Sequence, residues 1–232
     1  MSAPFFYQQE VPSIGYSILS EETSKHCIQV LRMKVGEPLQ LTDGKGSLIS
    51  AIITKEDKRH CEIKVLERTF EEKKGRKVSI GISLLKNVNR LEWFLEKVTE
   101  LGVSEVIPLL CQRTEKQQFR FDRMQNILIS AMLQSKQVWL PILHEPSPIE
   151  KIITSCTIEQ KLIAHCEESV KASLKDLQLQ ESLQILIGPE GDFSPREIDI
   201  ALQNNYLPVS LGNTRLRTET AGVVATSLLI NL

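Results

Sequence analysis

The sequence predicts an α/β protein in two parts: a small β domain over residues 1–72, then a larger domain over residues 73–232 built on a mainly parallel sheet. Three observations predict it. Polar and apolar residues alternate at period two through residues 38–54 and 61–66, the pattern of antiparallel strands with one wet face. After residue 77, apolar runs of strand length alternate with stretches of helical spacing, the order that builds parallel sheets. Between the two lies Glu71-Glu72-Lys73-Lys74-Gly75-Arg76-Lys77, a charged run broken by glycine that reads as a linker with a basic second half.

In the first part, Ser20 is placed to N-cap a short helix over residues 21–31. Leu39 and Leu41 alternate with polar residues, Asp43-Gly44-Lys45-Gly46 turns the chain, and residues 48–53 return as the second strand of a hairpin. A second turn at Glu56-Asp57-Lys58-Arg59 leads to a third strand at 61–66. At about 70 residues this part is near the lower size limit for an independent core, so Phe5 and Phe6 are read as core residues ahead of stacking residues.

In the second part, residues 78–85 and 106–110 are apolar strands. Between them Leu91, Phe94, Leu95, Val98 and Leu101 fall at helical spacing, and Gly102 is placed to end that helix. Residues 122–138 read as a helix with Met124, Ile127, Leu128, Ala131 and Met132 on or near one face, and Ser147-Pro148-Ile149-Glu150 opens another. Strands are expected at 162–165, 183–187 and 209–211, helices at 195–204 and from Glu219 to the end.

Composition bounds the function. Of 232 residues, 41% are hydrophobic and 25% charged, values of an ordinary soluble globular chain. The net charge of −1 announces no global basic field, although a local basic face balanced elsewhere stays open. The five cysteines are odd in number and scattered, which fits a reducing cytoplasm and free thiols. The histidines are dispersed too, so no metal site is expected. The opening residues lack the apolar stretch of a signal peptide, and no run approaches the ~18 apolar residues of a membrane span. A cytoplasmic location without membrane attachment is expected.

Two junctions stand out. At residues 183–197 an apolar strand runs into Gly188-Pro189-Glu190-Gly191 and then a sharply started helix, with Ser194 as N-cap, Pro195 in the first turn and Glu197 closing a capping box. Such loops offer backbone N–H and C=O groups at the carboxyl end of a strand, where α/β folds bind small molecules. The second, residues 211–221, again joins a strand through a glycine loop to a helix and crowds in Arg215, Arg217, Thr218, Glu219 and Thr220. Read blandly, Thr218 caps that helix, Glu219 complements its dipole and the arginines face solvent.

Taken together, segments 188–199 (GPEGDFSPREID) and 211–221 (LGNTRLRTETA) resemble the paired loops of SPOUT RNA methyltransferases of the RsmE type. His26-Cys27-Ile28-Gln29-Val30-Leu31-Arg32-Met33, followed by Gly36 and Asp43-Gly44, resembles that family's H-x-x-x-V-L-R-M element. Glu96-Lys97-Val98-Thr99-Glu100-Leu101-Gly102-Val103 resembles its Q-K-x-x-E-L-G-V helix end, and the matches run in the family's order along nearly the whole chain.

The resemblance implies a PUA-like β-barrel ahead of a trefoil-knotted α/β methyltransferase domain. It also implies S-adenosyl-L-methionine as cofactor, methylation of N3 of a uridine in small-subunit (16S) ribosomal RNA, and a homodimer packed through the terminal helix, where Gly222 and Ala225 would allow close approach. The donor would lie among three loops: His165 to Glu168, Gly188-Pro189-Glu190-Gly191, and Leu211 through Ala221 with Gly212, Leu216, Thr218 and Thr220. Arg217 is the candidate for oxyanion stabilisation or phosphate positioning. Glu190 and Glu219 are the candidate base or orienting carboxylates; loop bracing for the first and helix-dipole pairing for the second remain equal alternatives. Lys25, His26, Arg32, Lys34, Asn87, Arg90 and Arg215 are the candidate contacts to ribosomal RNA or an assembling ribosomal subunit.

The chain also departs from the family pattern. Asp192 stands where a second glycine is usual, Thr214 where an arginine is, and Leu133 to Pro141 replaces an E-Q-x-x-R-x-x-x-P element without its glutamate and arginines. Arginine is the preferred phosphate contact, so two rival readings stay open. One keeps the fold but methylates a ribose 2′-OH or transfer RNA; the other is an RNA-binding or ribosome assembly factor whose catalysis has decayed.

Overall fold

In the computed structural model, residues 3–115, 118–167 and 170–232 are described. The chain divides into two compact units, residues 1–74 with 132–140, and residues 75–131 with 141–232.

The first unit is a five-stranded sheet with a helical turn. Its strands are β1 (Phe5–Tyr7), β2 (Gly15–Ile18), β3 (Pro38–Thr42), β4 (Ser47–Lys55) and β5 (Glu62–Phe70), in the order β1-β3-β4-β5-β2. All pairings are antiparallel except β1 with β3. The alternation read from the sequence buries Leu39, Leu41, Ile49, Ala51, Ile53, Ile63 and Val65 around Phe6, while Phe5 is only half-buried. Ser20 caps α1 (Glu21–Lys25) by accepting from the Thr23 N–H at 3.2 Å. The helix predicted to run to Leu31 keeps α geometry only to Lys25. Residues His26–Val30 form a π turn, closed by the Leu31 N–H on the His26 carbonyl, and Arg32 at φ 56° ends it.

Residues 132–140 group with this unit, whereas the sequence puts them in the second domain. The reason is pairing with the hairpin turn: Gly46 N–H donates to Val138 O and Leu140 N–H to Gly44 O, both at 2.9 Å. Trp139 Nε1 donates to the Glu71 carbonyl, and its ring packs edge-on against Phe70. Gly46 has φ 97°, and a Cβ there would lie 2.6 Å from the Trp139 ring, so this turn requires glycine on two counts. Asp43 braces the same turn, accepting from Ser47 Oγ and from the N–H groups of Lys45 and Ser47, with Arg68 Nη2 at 2.7 Å.

The second unit carries an eight-stranded sheet whose pairings are all parallel. In chain order it contains β6 (Lys77–Ser83), α2 (Val88–Leu101), β7 (Glu105–Leu110), α3 (Phe121–Gln134, whose last turn lies in the first unit), β8 (Ile142–Leu143), β9 (Ser147–Pro148) and α4 (Ile149–Ser155). There follow β10 (Gln160–Ala164), β11 (Ala172–Ser173), β12 (Ser182–Ile187), α5 (Pro195–Gln203), β13 (Leu207–Ser210) and α6 (Thr218–Asn231). The spatial order is β11-β13-β10-β12-β6-β7-β8, with β9 also paired to β7. Central strands β6 and β12 are buried on both faces, which is why they read as continuous apolar runs.

Leu91, Phe94, Leu95 and Val98 form the buried face of α2, and Gly102 ends it at φ 90°. That face packs on α6. A Cβ on Gly222 would lie 2.5 Å from the Phe94 ring, so this small residue serves packing inside the unit. After β13 the chain crosses the carboxyl ends of β10 and β12 to reach α6, which lies on β6 and α2.

Candidate functional site

Strands β13, β10 and β12 are neighbours and parallel, with Ala164 beside both Ile187 and Val209, so the loops that follow them emerge together at one edge. With Arg90 of α2 they enclose a cavity of about 800 Å³, within the usual range of ligand sites.

The loop after β12 is held from several sides. Phe193 is fully buried and anchors it; a Cβ at Gly188 would stand 3.1 Å from the Phe193 nitrogen. Asp192 N–H donates to Pro189 O at 2.9 Å, closing a tight turn. Asp192 itself has φ 66°, a left-handed conformation that explains why glycine suits this position. Its carboxylate compensates: Oδ1 accepts from the Phe193 N–H at 2.9 Å and Oδ2 from the Cys166 N–H at 2.8 Å, tying the β12 loop to the β10 loop. Ser194 and Glu197 make the full capping box of α5, and Glu197 Oε1 also accepts from the Gln112 N–H at 2.7 Å. Arg113, from the loop after β7, donates to the carbonyls of Gly191 and Phe193 at 2.6 and 3.3 Å.

Thr218 does not cap α6. Arg217 occupies the N-cap position without a side-chain cap bond, and the buried Thr218 hydroxyl donates to the Gly188 carbonyl at 3.0 Å. The last loop is therefore stitched to the glycine loop, and the side chains of Arg215 and Arg217 are exposed on the cavity wall. Among the described residues neither guanidinium forms a salt bridge with a carboxylate.

Arg90 joins the two candidate carboxylates. Its Nη1 lies 3.0 Å from Glu190 Oε1 and its Nε 3.6 Å from Glu219 Oε1. Glu190 is exposed and lines the cavity. Glu219 is buried behind the wall, and its Oε2 has no hydrogen-bond partner among the described residues. His165 lines the cavity and is only 8% exposed, with both ring nitrogens unpartnered among the described residues. Burial, then Lys171, holds its imidazole below the ordinary histidine range, against an opposite pull from Asp192 and Glu167.

Of the residues expected from the sequence, His165, Gly188, Pro189, Glu190, Leu211, Gly212, Leu216, Thr218 and Ala221 line the cavity with Arg90, Arg215 and Arg217. Gly191, Glu219 and Thr220 are adjacent but not on its wall. Asn87 is the N-cap of α2, its side chain accepting from the Asn89 N–H at 3.0 Å. In the first unit Lys25 pairs with Glu21, Lys34 with Glu56, and His26 meets the Phe6 ring edge-on, while Arg32 is exposed. Glu168 lies outside the described residues. Lys171, Asp192 and Arg113 had no place in the sequence-based site. Arg113 follows the carboxyl end of β7, so the strand-end rule that selects Arg90 would also have selected it.

Comparison with known proteins places these features in context. Residues 71–230 match the family model described as an RNA methyltransferase domain, and residues 19–66 the model described as an RNA methyltransferase PUA domain. The chain is 31% identical over 209 residues to the ribosomal RNA small subunit methyltransferase E of Synechocystis, covering 86% of this chain and 68% of that one. A solved structure described as a probable rRNA-methyltransferase from Porphyromonas gingivalis superimposes with a TM-score of 0.90 at 37% identity, over 96% of this chain and 95% of the other. The ribosomal RNA small subunit methyltransferase E of Neisseria gonorrhoeae, solved bound to S-adenosyl methionine, superimposes with a TM-score of 0.88 at 27% identity, over 97% and 96%.

Proposed function

The chain belongs to the ribosomal RNA small subunit methyltransferase E family of RNA methyltransferases, and from that premise we propose that it methylates N3 of a uridine in 16S ribosomal RNA. Its cofactor is S-adenosylmethionine, which supplies an electrophilic methyl group on a sulfonium. The observation that carries the reading is the meeting of the β10, β12 and β13 loops around one cavity with Arg215 and Arg217 exposed on its wall.

The residues present fit such a donor. Gly212 has open space beside its Cα, which leaves its backbone free to close approach, and the unpartnered imidazole of His165 offers a hydrogen bond that nothing else in the described chain takes up. The Thr218–Gly188 bond, the Asp192–Cys166 bond and the Arg113 clamp hold the three loops in fixed relation, which is what alignment for in-line transfer demands.

A uridine N3–H is a weak acid, so the nitrogen attacks as it loses its proton and charge gathers on the uracil oxygens. Arg217 is the residue for that charge, with Arg215 beside it for a phosphate. Glu190, on the wall, is the carboxylate that can meet the N3–H. Glu219, behind the wall, acts through Arg90. The basic residues Arg32, Lys25 and Lys34 of the first unit serve RNA backbone contact in this reading.

The same reading includes a trefoil knot, supported by the path of the chain from β13 across β10 and β12 to α6. It also includes a cytoplasmic homodimer. Val223, Val224 and Leu228 of α6 stay half-buried within the single chain, and a second copy would cover them. Among the described residues no helix is long and apolar enough to cross a membrane.

Mass mapping of ribosomal RNA from cells lacking the gene tests the assignment. One small-subunit uridine should lose its N3 methyl group and regain it on complementation. Unchanged N3 methylation, with no redundant enzyme, would remove it, and loss of a ribose or transfer-RNA methyl group instead would move the acceptor.

A further inference from the structure

The hairpin turn of the first unit carries an aromatic surface, and none of its residues lines the donor cavity. In a chain that is only 5% aromatic, three rings meet the turn Asp43-Gly44-Lys45-Gly46. A Cβ on Gly44 would lie 3.1 Å from the Tyr7 ring, and one on Gly46 2.6 Å from the Trp139 ring and 2.7 Å from that of Phe70. Phe70 and Trp139 meet edge to face, with centroids 5.8 Å apart and planes at 81°. This packing attaches residues 132–140 to the turn, yet it leaves much of the rings unused: Phe70 is 64% exposed and Trp139 only half-buried.

The rings are held rigidly. Trp139 Nε1 donates to the Glu71 carbonyl at 2.9 Å, which fixes the indole and spends its one donor. The bonds from Gly46 N–H to Val138 O and from Leu140 N–H to Gly44 O bracket Lys45 and Trp139 as a non-hydrogen-bonded antiparallel pair, the kind whose side chains stand closest. Lys45 is exposed, and among the described residues its ammonium forms no ion pair. Glu71 and Glu72 are exposed as well, so charge alone does not select an anion at this patch. Fixed rings with no free donor, flanked by one cation, fit the flat face of an unpaired nucleobase with its phosphate alongside.

We propose that Phe70 and Trp139 form a stacking platform for an unpaired base of the RNA substrate, with Lys45 beside it for the adjoining phosphate. The proposal rests on the reading of this chain as an enzyme that acts on RNA. Residues 133–141 lack the arginines of the family pattern, so this segment presents an aromatic face where a guanidinium would otherwise stand. Stacking tolerates any base and demands a single strand, because paired bases turn their faces to one another. The platform therefore holds an unpaired stretch of RNA, and the residues of the donor cavity take no part in it.

The chain has one other tryptophan, Trp93, so W93F leaves Trp139 as the fluorescent reporter. Full-length W93F protein is titrated with a short single-stranded oligouridylate and with an RNA duplex of equal length. The single strand should quench Trp139, and the duplex should quench it far less. Adding F70S, with folding checked by circular dichroism, should weaken single-strand binding by about fivefold or more, the scale of one lost stacking contact. The slope of affinity against salt should stay as it was, since no phosphate contact is lost. F70Y keeps a ring and should bind within about twofold of the parent. An F70S variant that binds as tightly as its parent, or a Trp139 signal unmoved at saturating single strand, would overturn the proposal. Equal quenching by the duplex would do the same. Absence of any RNA binding by the folded parent would overturn the RNA reading beneath it as well. Quenching and the F70S loss, found together with no methyl transfer to a small-subunit uridine, would leave the platform standing and overturn the acceptor assignment alone.

Discussion

Replacing Arg90 with methionine separates the two carboxylates that its guanidinium meets. The pair with Glu190 is 3.0 Å long, but the side chains are 34% and 41% exposed, and such a pair contributes about 0–1 kcal/mol. The contact with Glu219 is longer, at 3.6 Å, yet that carboxylate is only 8% exposed. Removing one partner of a fully buried pair costs about 3–5 kcal/mol because the other charge stays desolvated. Here Arg90 itself is a third exposed, the contact is long, and the start of α6 offsets about 0.3–1 kcal/mol through its dipole. A loss of about 1–2 kcal/mol remains, or roughly 2–8 °C in thermal midpoint for a chain of this size. Thermal unfolding followed by circular dichroism measures it. R90M/E219Q should recover most of the loss, since a neutral amide needs no cation, while R90M/E190Q should not. If R90M melts within about 1 °C of wild type, or if the Glu190 change is the one that rescues, the assignment of Arg90 to the buried carboxylate is wrong.

Truncating Arg217 to alanine should lower methyl transfer by about 10²–10³-fold, the scale of a lost oxyanion donor, while calorimetry shows S-adenosylmethionine affinity changed little; a large loss of affinity would reassign the residue to donor binding. D192A should destabilise more than D192G, because both lose the bonds to Phe193 and Cys166 but only alanine also carries the penalty of φ 66°; equal melting points would show that backbone conformation is not what separates them. Burial pushes the Asp43 carboxyl up, but hydrogen bonds from Ser47, from the Lys45 and Ser47 N–H groups, and the Arg68 charge outweigh it and hold it below the ordinary 3.8. Its folded value is thus the lower one, so its stabilisation is present above pH 3.8 and fades as pH falls through the folded value. Denaturant melts should accordingly show wild type above D43N at neutral pH, with the gap closing below pH 3.8.

Much of the site was legible because it is written in local patterns. Strand, glycine loop and capped helix start are contiguous, and the capping box of Ser194 and Glu197 formed as the spacing demands. The boundary of the first unit was less legible. Residues 132–140 follow a helix of the second unit in sequence, and their attachment to the Asp43–Gly46 turn depends on backbone pairing and a tryptophan that only the folded turn brings within reach. Helical periodicity likewise could not tell an α turn from the π turn at His26–Val30, which buries Cys27 and keeps Ile28 against the core.

By itself the sequence determined the alternation of strands and helices, the order of the glycine loops along the chain, and which residue types stand in them. Those properties follow from periodicity and from bonds between residues a few positions apart. Only the tertiary structure decided what meets what across the sheet: Thr218 with Gly188, Asp192 with Cys166, Arg113 with Gly191, and Arg90 with both glutamates. Strand order β13-β10-β12-β6 sets these meetings, and strand order depends on non-local packing that no window of sequence contains. The cross-loop brace made by Thr218, which the bland reading of the sequence had as a cap and the resemblance as a donor-loop residue, has the same cause. A hydroxyl at a helix start can bond inward or across, and the carbonyl of a residue 30 positions away was the partner within reach.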